Sequence, residues 1–174
     1  MKAVFIDETK SKKFTLTTVF VDFERVPLMR MELVKLRMKG QRRIHFVDES
    51  DSRRRQITGS LEKLNIHTIF FVTRTKIERE ARRLCLTALV ANLDKQTNYQ
   101  IWLELDESHL NHDKAALTQA LKQHGMLNRV EFFHATPHQQ ELLWIPDALG
   151  WISNRGSDWS RILSRFSQQV IELD

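Results

Sequence analysis

The feature that most constrains this chain is an apolar hairpin followed by regular alternation. Ala3-Val4-Phe5-Ile6 is a short apolar run that ends in two acids, Asp7 and Glu8. After a polar turn over residues 9–13 comes Phe14-Thr15-Leu16-Thr17-Thr18-Val19-Phe20-Val21-Asp22. Runs this rich in β-branched and aromatic residues read as strands, and so short a link joins neighbouring strands antiparallel. From Pro27 the period becomes helical, with Leu28, Met31, Val34 and Met38 on one face and Gly40 closing the segment. The remaining pattern predicts a strand over 43–47, a helix capped by Ser50, Asp51 or Ser52 and running to about Leu64, and a strand over 67–73. A helix over 76–93, a strand over 99–106, a helix over 113–124 and a strand over 129–134 follow. A helix over 138–153, interrupted at Pro146, then precedes a helix beginning at Asp158 and a tail over 169–173 that can extend. Strands alternating with helices require an α/β fold with helices on both faces of a mixed sheet. The opening antiparallel hairpin excludes a purely parallel, doubly wound sheet.

A chain of 174 residues fits one domain, over 1–174, with a proper core. No apolar run approaches the roughly 20 residues needed to cross a membrane. The N-terminus lacks the apolar core of a signal peptide. One cysteine, Cys85, cannot form an intrachain disulfide, so a reducing cytoplasm is the simplest location; its apolar surroundings make it a small core residue. The net charge of +5 permits a polyanion partner. Arg42 and Arg43, then Arg53, Arg54 and Arg55, lie close in sequence to two of the acidic places described next, and are the candidate contacts to a nucleic-acid backbone.

Acids do not belong inside a strand buried on both faces. They can sit at its C-terminal end, where open sheets place their sites. Asp7 shares a strand face with Ala3 and Phe5, while Glu8 points the other way. Other segments deliver acids to comparable places: Asp48 and Glu49, Glu104 and Asp106, and Asp147. Glu104 and Asp106 share a strand face with Gln100 and Trp102. Asp147 lies within Leu143-Trp144-Ile145-Pro146-Asp147-Ala148-Leu149, an apolar stretch in which an acid needs a partner. Convergence of these carboxylates would suit Mg²⁺ or Mn²⁺, hard cations that take oxygen ligands. Two such ions about 4 Å apart can support phosphodiester cleavage. The expected ligands are Asp7, Asp106 and Asp147, with Glu49 or Glu104 as the fourth carboxylate. His134 and His138 are weaker candidates for a histidine near the site. No glycine-rich phosphate loop and no serine or cysteine nucleophile motif stands out.

Several segments together resemble a family: Ile6-Asp7-Glu8-Thr9, Ile44-His45, Leu105-Asp106-Glu107, and the stretch around Pro146-Asp147-Ala148. They are similar to a large bacterial and phage group, domain-of-unknown-function family 3800. The resemblance implies a ribonuclease-H-like fold, a strand-one Asp at Asp7 followed by Glu8, a strand histidine at His45, and later acids at Asp106 and Asp147 binding Mg²⁺ or Mn²⁺ for phosphodiester hydrolysis. Thr9-Lys10 replaces the family's Ser-Gly, and Arg43 stands where an acid often precedes the Ile-His pair. Two functions are therefore expected as alternatives. One is a metal-dependent nuclease; the other is a nucleic-acid-binding or assembly module that kept the fold and lost catalysis.

Overall fold

The computed structural model describes residues 1–156 and 158–174. Its strands are β1 (Lys2–Lys10), β2 (Phe14–Asp22), β3 (His67–Thr73), β4 (Tyr99–Glu104), β5 (Val130–Ala135) and β6 (Ser167–Glu172). Its helices are α1 (Val26–Lys35), α2 (Asp51–Glu62), α3 (Glu78–Ala91), α4 (Leu110–Gln123), α5 (Trp144–Ser153) and α6 (Asp158–Leu163). The six strands form one sheet in the order β5-β4-β1-β2-β3-β6. β1 and β2 form the antiparallel hairpin, with Asp7 opposite Thr17. β1 runs parallel to β4, with Ile6 opposite Leu103. β3 is antiparallel to β2 and parallel to β6, and β5 is parallel to β4. β2 thus runs against the other strands, as the hairpin demanded. Among the described residues no helix is long and apolar enough to cross a membrane.

Side-chain alternation divides the interior into two cores. Ala3 and Phe5 of β1 join Met29, Leu33, Ile57, Leu61 and the apolar residues of α5 on one face. Val4 and Ile6 join Cys85, Leu86, Leu89, Leu117 and Leu121, from α3 and α4, on the other. Continued by one step each, the same alternation sends Asp7 toward the α5 face and Glu8 toward the α3–α4 face.

The structure departs from the sequence reading in three places. Residues 43–47, expected as a strand, form a loop ending in a 3₁₀ turn over Phe46–Asp48. Phe46 is wholly buried in the α5-side core, and its N–H donates to the Asp147 carboxylate at 2.9 Å instead of to a strand ladder. Pro146 does not interrupt a helix. A 3₁₀ turn over Glu141–Leu143 leads into α5, and Pro146 falls in that helix's first turn, where its missing N–H has no partner to lose. Two apolar stripes are also rotated. α1 buries Met29 and Leu33 and leaves Leu28 and Met31 exposed. α3 buries Ala81, Arg82, Cys85, Leu86, Leu89 and Val90, although a helical repeat through Ile77, Ala81, Leu84, Ala88 and Ala91 is also present in the sequence. A helix apolar nearly all round leaves its own buried side undecided.

α5 seats on the hairpin through Gly150. A Cβ there would lie 2.6 Å from Thr9 Oγ1 and 2.9 Å from Thr17 Oγ1, so only glycine allows this approach. Gly59 in α2 has nothing within 4 Å of the same atom. The two glycines should therefore respond oppositely. Gly59→Ala should stabilise by about 0.5–1 kcal/mol, the usual helical gain over glycine. Gly150→Ala should lose stability despite that gain, because overpacking costs about 1–3 kcal/mol. Urea-denaturation midpoints of the two variants against the parent chain provide the measurement.

Candidate functional site

The parallel register sets Ile6 beside Leu103, so the next residues along each strand, Asp7 and Glu104, stand side by side where the β1–β4 pairing ends, at the C-terminal end of β4. Both point to the α5 face. Asp147, in the first turn of α5, meets them from above. Its carboxylate accepts the Phe46 N–H, and Asp7 Oδ1 accepts the Glu8 N–H at 2.8 Å. The charges of Glu104 and Asp147 bear on Asp7, and that of Asp147 on Glu104. Burial holds Asp7 well above the usual carboxylate range, and the nearby charges of Glu104, Asp147 and Glu8 raise it further. Burial also raises Glu104; the Arg43 charge opposes this, and Asp147 and Glu8 add to it. Burial raises Asp147 against its hydrogen bond from Phe46 and the charges of His45 and Arg43.

The nearest fixed cation to this group is Arg43, whose Nη1 lies 3.7 Å from Glu104 Oε1. His45 is tied to Asp48 through Nδ1 at 2.9 Å, close enough for its charge to bear on Glu104 and Asp147. A cleft of about 450 Å³, lined by Asp7, Glu8, Lys10 and residues 104–107, opens beside the acids. The three carboxylates are half-buried and short of counter-charge, the condition a hard divalent cation relieves, although they are not among the described groups whose ligand atoms all lie within 4.8 Å of one another.

The remaining sequence candidates are engaged elsewhere. Asp106, expected beside Asp7, lies beyond the end of β4. It lines the same cleft, but its Oδ1 accepts the Ser108 N–H at 2.9 Å and the Ser108 hydroxyl at 2.6 Å. Those hydrogen bonds lower its pKa. Asp106 also falls in a group with Glu78 and His109 whose potential ligand atoms lie within 4.8 Å of one another. Lys10 Nζ, 2.5 Å from Glu78 Oε1, already brings positive charge there. Glu49 is buried, accepts a hydrogen bond from Gln41 and faces Arg53, so its oxygens already have partners within the fold.

Among the arginines, Arg53 donates to Leu36 O at 2.6 Å. Arg54 donates to Phe46 O at 2.9 Å and Val47 O at 2.7 Å, and its guanidinium lies 4.3 Å from the Trp151 ring centre. Both stitch the 41–49 loop to its surroundings, so these donors, expected at a nucleic-acid backbone, are engaged within the fold. Arg42 and Arg55 are exposed. His134 sits on the opposite face of the sheet from Asp7, packed beside Phe132, and His138 is exposed.

A second polar centre escaped the sequence reading. Arg82 is 2% exposed. Its Nε and Nη2 donate to the two oxygens of buried Asp113 at 3.0 and 2.6 Å, and its Nη1 donates to Glu8. Glu8 is therefore held on the α3–α4 face, directly behind Asp7. Burial pushes Asp113 up, but His134 and Arg82 more than offset this and leave its pKa lowered. The signal was present: Arg82 falls in the same helical stripe as Cys85, Leu86 and Leu89, and Asp113 in that of Ala116, Leu117 and Ala120. Cys85 itself is buried and free, with burial pushing its thiol up to about 12, as expected of an inert core residue.

Among solved structures, the chain is similar to the ribonuclease H2 of Pyrococcus horikoshii OT3, with 12% identity, a TM-score of 0.55, and coverage of 95% of this chain and 75% of that one. It is also similar to the ribonuclease HII of Archaeoglobus fulgidus, seen in complex with PCNA, with 12% identity, a TM-score of 0.50, and coverage of 95% and 76%. No family model and no curated protein matches the sequence. The fold is ribonuclease-H-like: the mixed six-stranded sheet, its opening hairpin and its helices on both faces agree with these structures.

Two stability measurements follow. The folded pKa of Asp113 lies below its unfolded value. The stability it confers is present above the ordinary carboxylate range and is lost as pH falls through the folded pKa. Asp113→Asn leaves Arg82 buried with only Glu8 and should cost about 3–5 kcal/mol at neutral pH, read from denaturation midpoints. Asp7 carries the opposite sign. Its folded pKa is raised, so stability is greatest in acid and declines as pH rises through the interval between its unfolded and folded values. In chelator, Asp7→Asn should be more stable than the parent chain at pH 8 and should gain nothing from Mn²⁺ in a thermal-shift experiment that stabilises the parent. A parent chain indifferent to Mn²⁺ would count against cation binding at this site.

Proposed function

We propose that this protein is a divalent-metal-dependent nuclease, acting on the phosphodiester backbone of a nucleic acid at the Asp7–Glu104–Asp147 site. The observation that carries the proposal is the placement of these three carboxylates near one another, with burial raising each of them and the charge of Asp147 raising both Asp7 and Glu104 further. Acids so placed repel one another unless a cation or a proton intervenes. The three side chains would hold Mg²⁺ or Mn²⁺, which supplies activation of a water and stabilisation of the leaving oxygen. The likeness to two archaeal ribonucleases at the level of fold supports this reading. So does the resemblance of the segments around Asp7, His45, Asp106 and Asp147 to domain-of-unknown-function family 3800, with Glu104 taking the ligand position first given to Asp106.

The chain's own groups have separable tasks. The Glu8 N–H fixes one oxygen of Asp7, and the Phe46 N–H fixes Asp147. Arg43, at the Glu104 edge, presents a guanidinium to a phosphate oxygen and offsets negative charge as substrate approaches. Arg42 and Arg55 contact the backbone away from the reacting phosphate, positioning it without reading sequence. The cleft beside Asp7 and Glu104 is where the phosphate would enter.

A second reading, a binding or assembly module without catalysis, is favoured by Arg43 itself. A fixed guanidinium 3.7 Å from Glu104 can substitute for part of a cation's charge. A Mn²⁺-dependent cleavage assay on single- and double-stranded DNA and RNA separates the readings. The nuclease proposal expects cleavage by the parent chain and at least a hundredfold loss, about 2.7 kcal/mol of barrier, in Asp7→Asn. Salt-sensitive binding without cleavage supports the module instead. Equal cleavage by the two chains would remove Asp7 from the site.

A further inference from the structure

Beside the carboxylates, at the edge of the sheet, lies an aromatic pair that leaves one ring exposed. Trp102 is two residues before Glu104 on β4 and shares its sheet face. Its register partner across the parallel pair is Phe133 on β5. The two rings stack, with centroids 4.6 Å apart and planes 25° from parallel. Trp102 leans on the α5-side core along one edge. Phe133 is 36% exposed, and it is the one exposed Phe, Tyr or Trp among the described residues. β5 is an edge strand, so no further strand covers this side.

Two features identify what such a surface takes. The first is continuity with the acids. Two strand residues span about 6.6 Å, and successive nucleotides of one strand in a stacked helix advance about 3.4 Å. A base on the Trp102–Phe133 pair therefore lies one or two nucleotides from a phosphate at Glu104. The second is charge. Arg43 stands at the Glu104 end, with exposed Arg42 next to it in sequence. A flat π-surface at one end of a site with guanidinium groups at the other matches a nucleotide, which carries an aromatic face and an anionic link.

We propose that Trp102 and Phe133 form a stacking subsite for an unpaired nucleobase of the polynucleotide bound at the carboxylate site. The subsite rests on the reading of that site as a phosphodiester site and adds the class of substrate: a strand with an accessible base face. Every base has a π-face, so the subsite tolerates any sequence. It discriminates against uninterrupted duplex, whose bases are already stacked on each other.

The test separates this subsite from cleavage. Phe133→Thr keeps a β-branched residue on the edge strand and removes the ring, so folding is preserved; Trp102→Leu is the second variant. Binding of fluorescent single-stranded oligonucleotides is measured by anisotropy in the Asp7→Asn background, with EDTA present. The expected result is about tenfold weaker binding for Phe133→Thr, and no change with blunt duplex. A set of oligonucleotides, each with one abasic position, should include one that binds the parent as weakly as the variant and shows no further loss in it. That cancellation reports stacking; a general structural defect would persist across the whole set.

Unchanged single-strand affinity in both folded variants overturns the subsite while leaving the carboxylate reading intact. Ring-dependent, abasic-sensitive binding in a chain that never cleaves supports the subsite and removes the nuclease assignment. If removing Phe133 only shifts self-association in sedimentation velocity, with oligonucleotide binding unaffected, the surface is a contact between copies of this chain and the proposal fails.

Discussion

The close contact between α5 and the β1–β2 hairpin is the constraint on which the rest of the structure depends. Gly150 lets the helix backbone come down onto Thr9 and Thr17, and Ile145, Ala148, Leu149 and Ile152 are buried around it. The helix could rise no further without opening that core, where voids cost stability as overpacking does. Its depth in turn sets Asp147, in its first turn, against Asp7. The geometry of the acids is thus decided by apolar packing one to two turns away along the helix.

β1 carries acids on both faces, and their energetics diverge. Glu8 faces a guanidinium that Asp113 also holds from both of its oxygens. That arrangement satisfies buried charges with geometry good enough to offset part of their desolvation. Asp7, one residue earlier, faces Glu104 and Asp147 with Arg43 only at the edge. Like charges held together by packing destabilise the fold, a common character of sites arranged for function. The satisfied centre on one face steadies the strand that presents the unsatisfied one on the other.

Much of this was legible in the residues. The hairpin, the β3 bounds and a cap for α2 among Ser50, Asp51 and Ser52 follow from period and turn chemistry, as do the opposite orientations of Asp7 and Glu8. The sheet register shows that β1 lies parallel beside β4. The 43–47 segment misled because Ile44, Phe46 and Val47 are strand-like in type, yet the sheet offers them no pairing partner and the core draws Phe46 inward. Asp106 misled because parity continues on paper past the point where the strand stops. After Glu104 the chain turns, and Ser108 captures the carboxylate. Arg53 and Arg54 looked like solvent-facing cations, but they hold loop carbonyls through long side chains that sequence spacing does not orient.

The sequence by itself determined the order of strands and helices apart from residues 43–47, the antiparallel opening, and the opposite faces on which Asp7 and Glu8 stand, because side-chain alternation and turn composition are local properties of the chain. Only the tertiary structure decided which acids share a site. Glu104 joins Asp7 because the parallel register ends there, and Asp147 joins both because a glycine contact sets the height of its helix. Glu49 is instead engaged by the half-buried Arg53 and by Gln41. Each of these outcomes turns on a contact between residues far apart in sequence, where packing and pairing, rather than local preference, choose the partner.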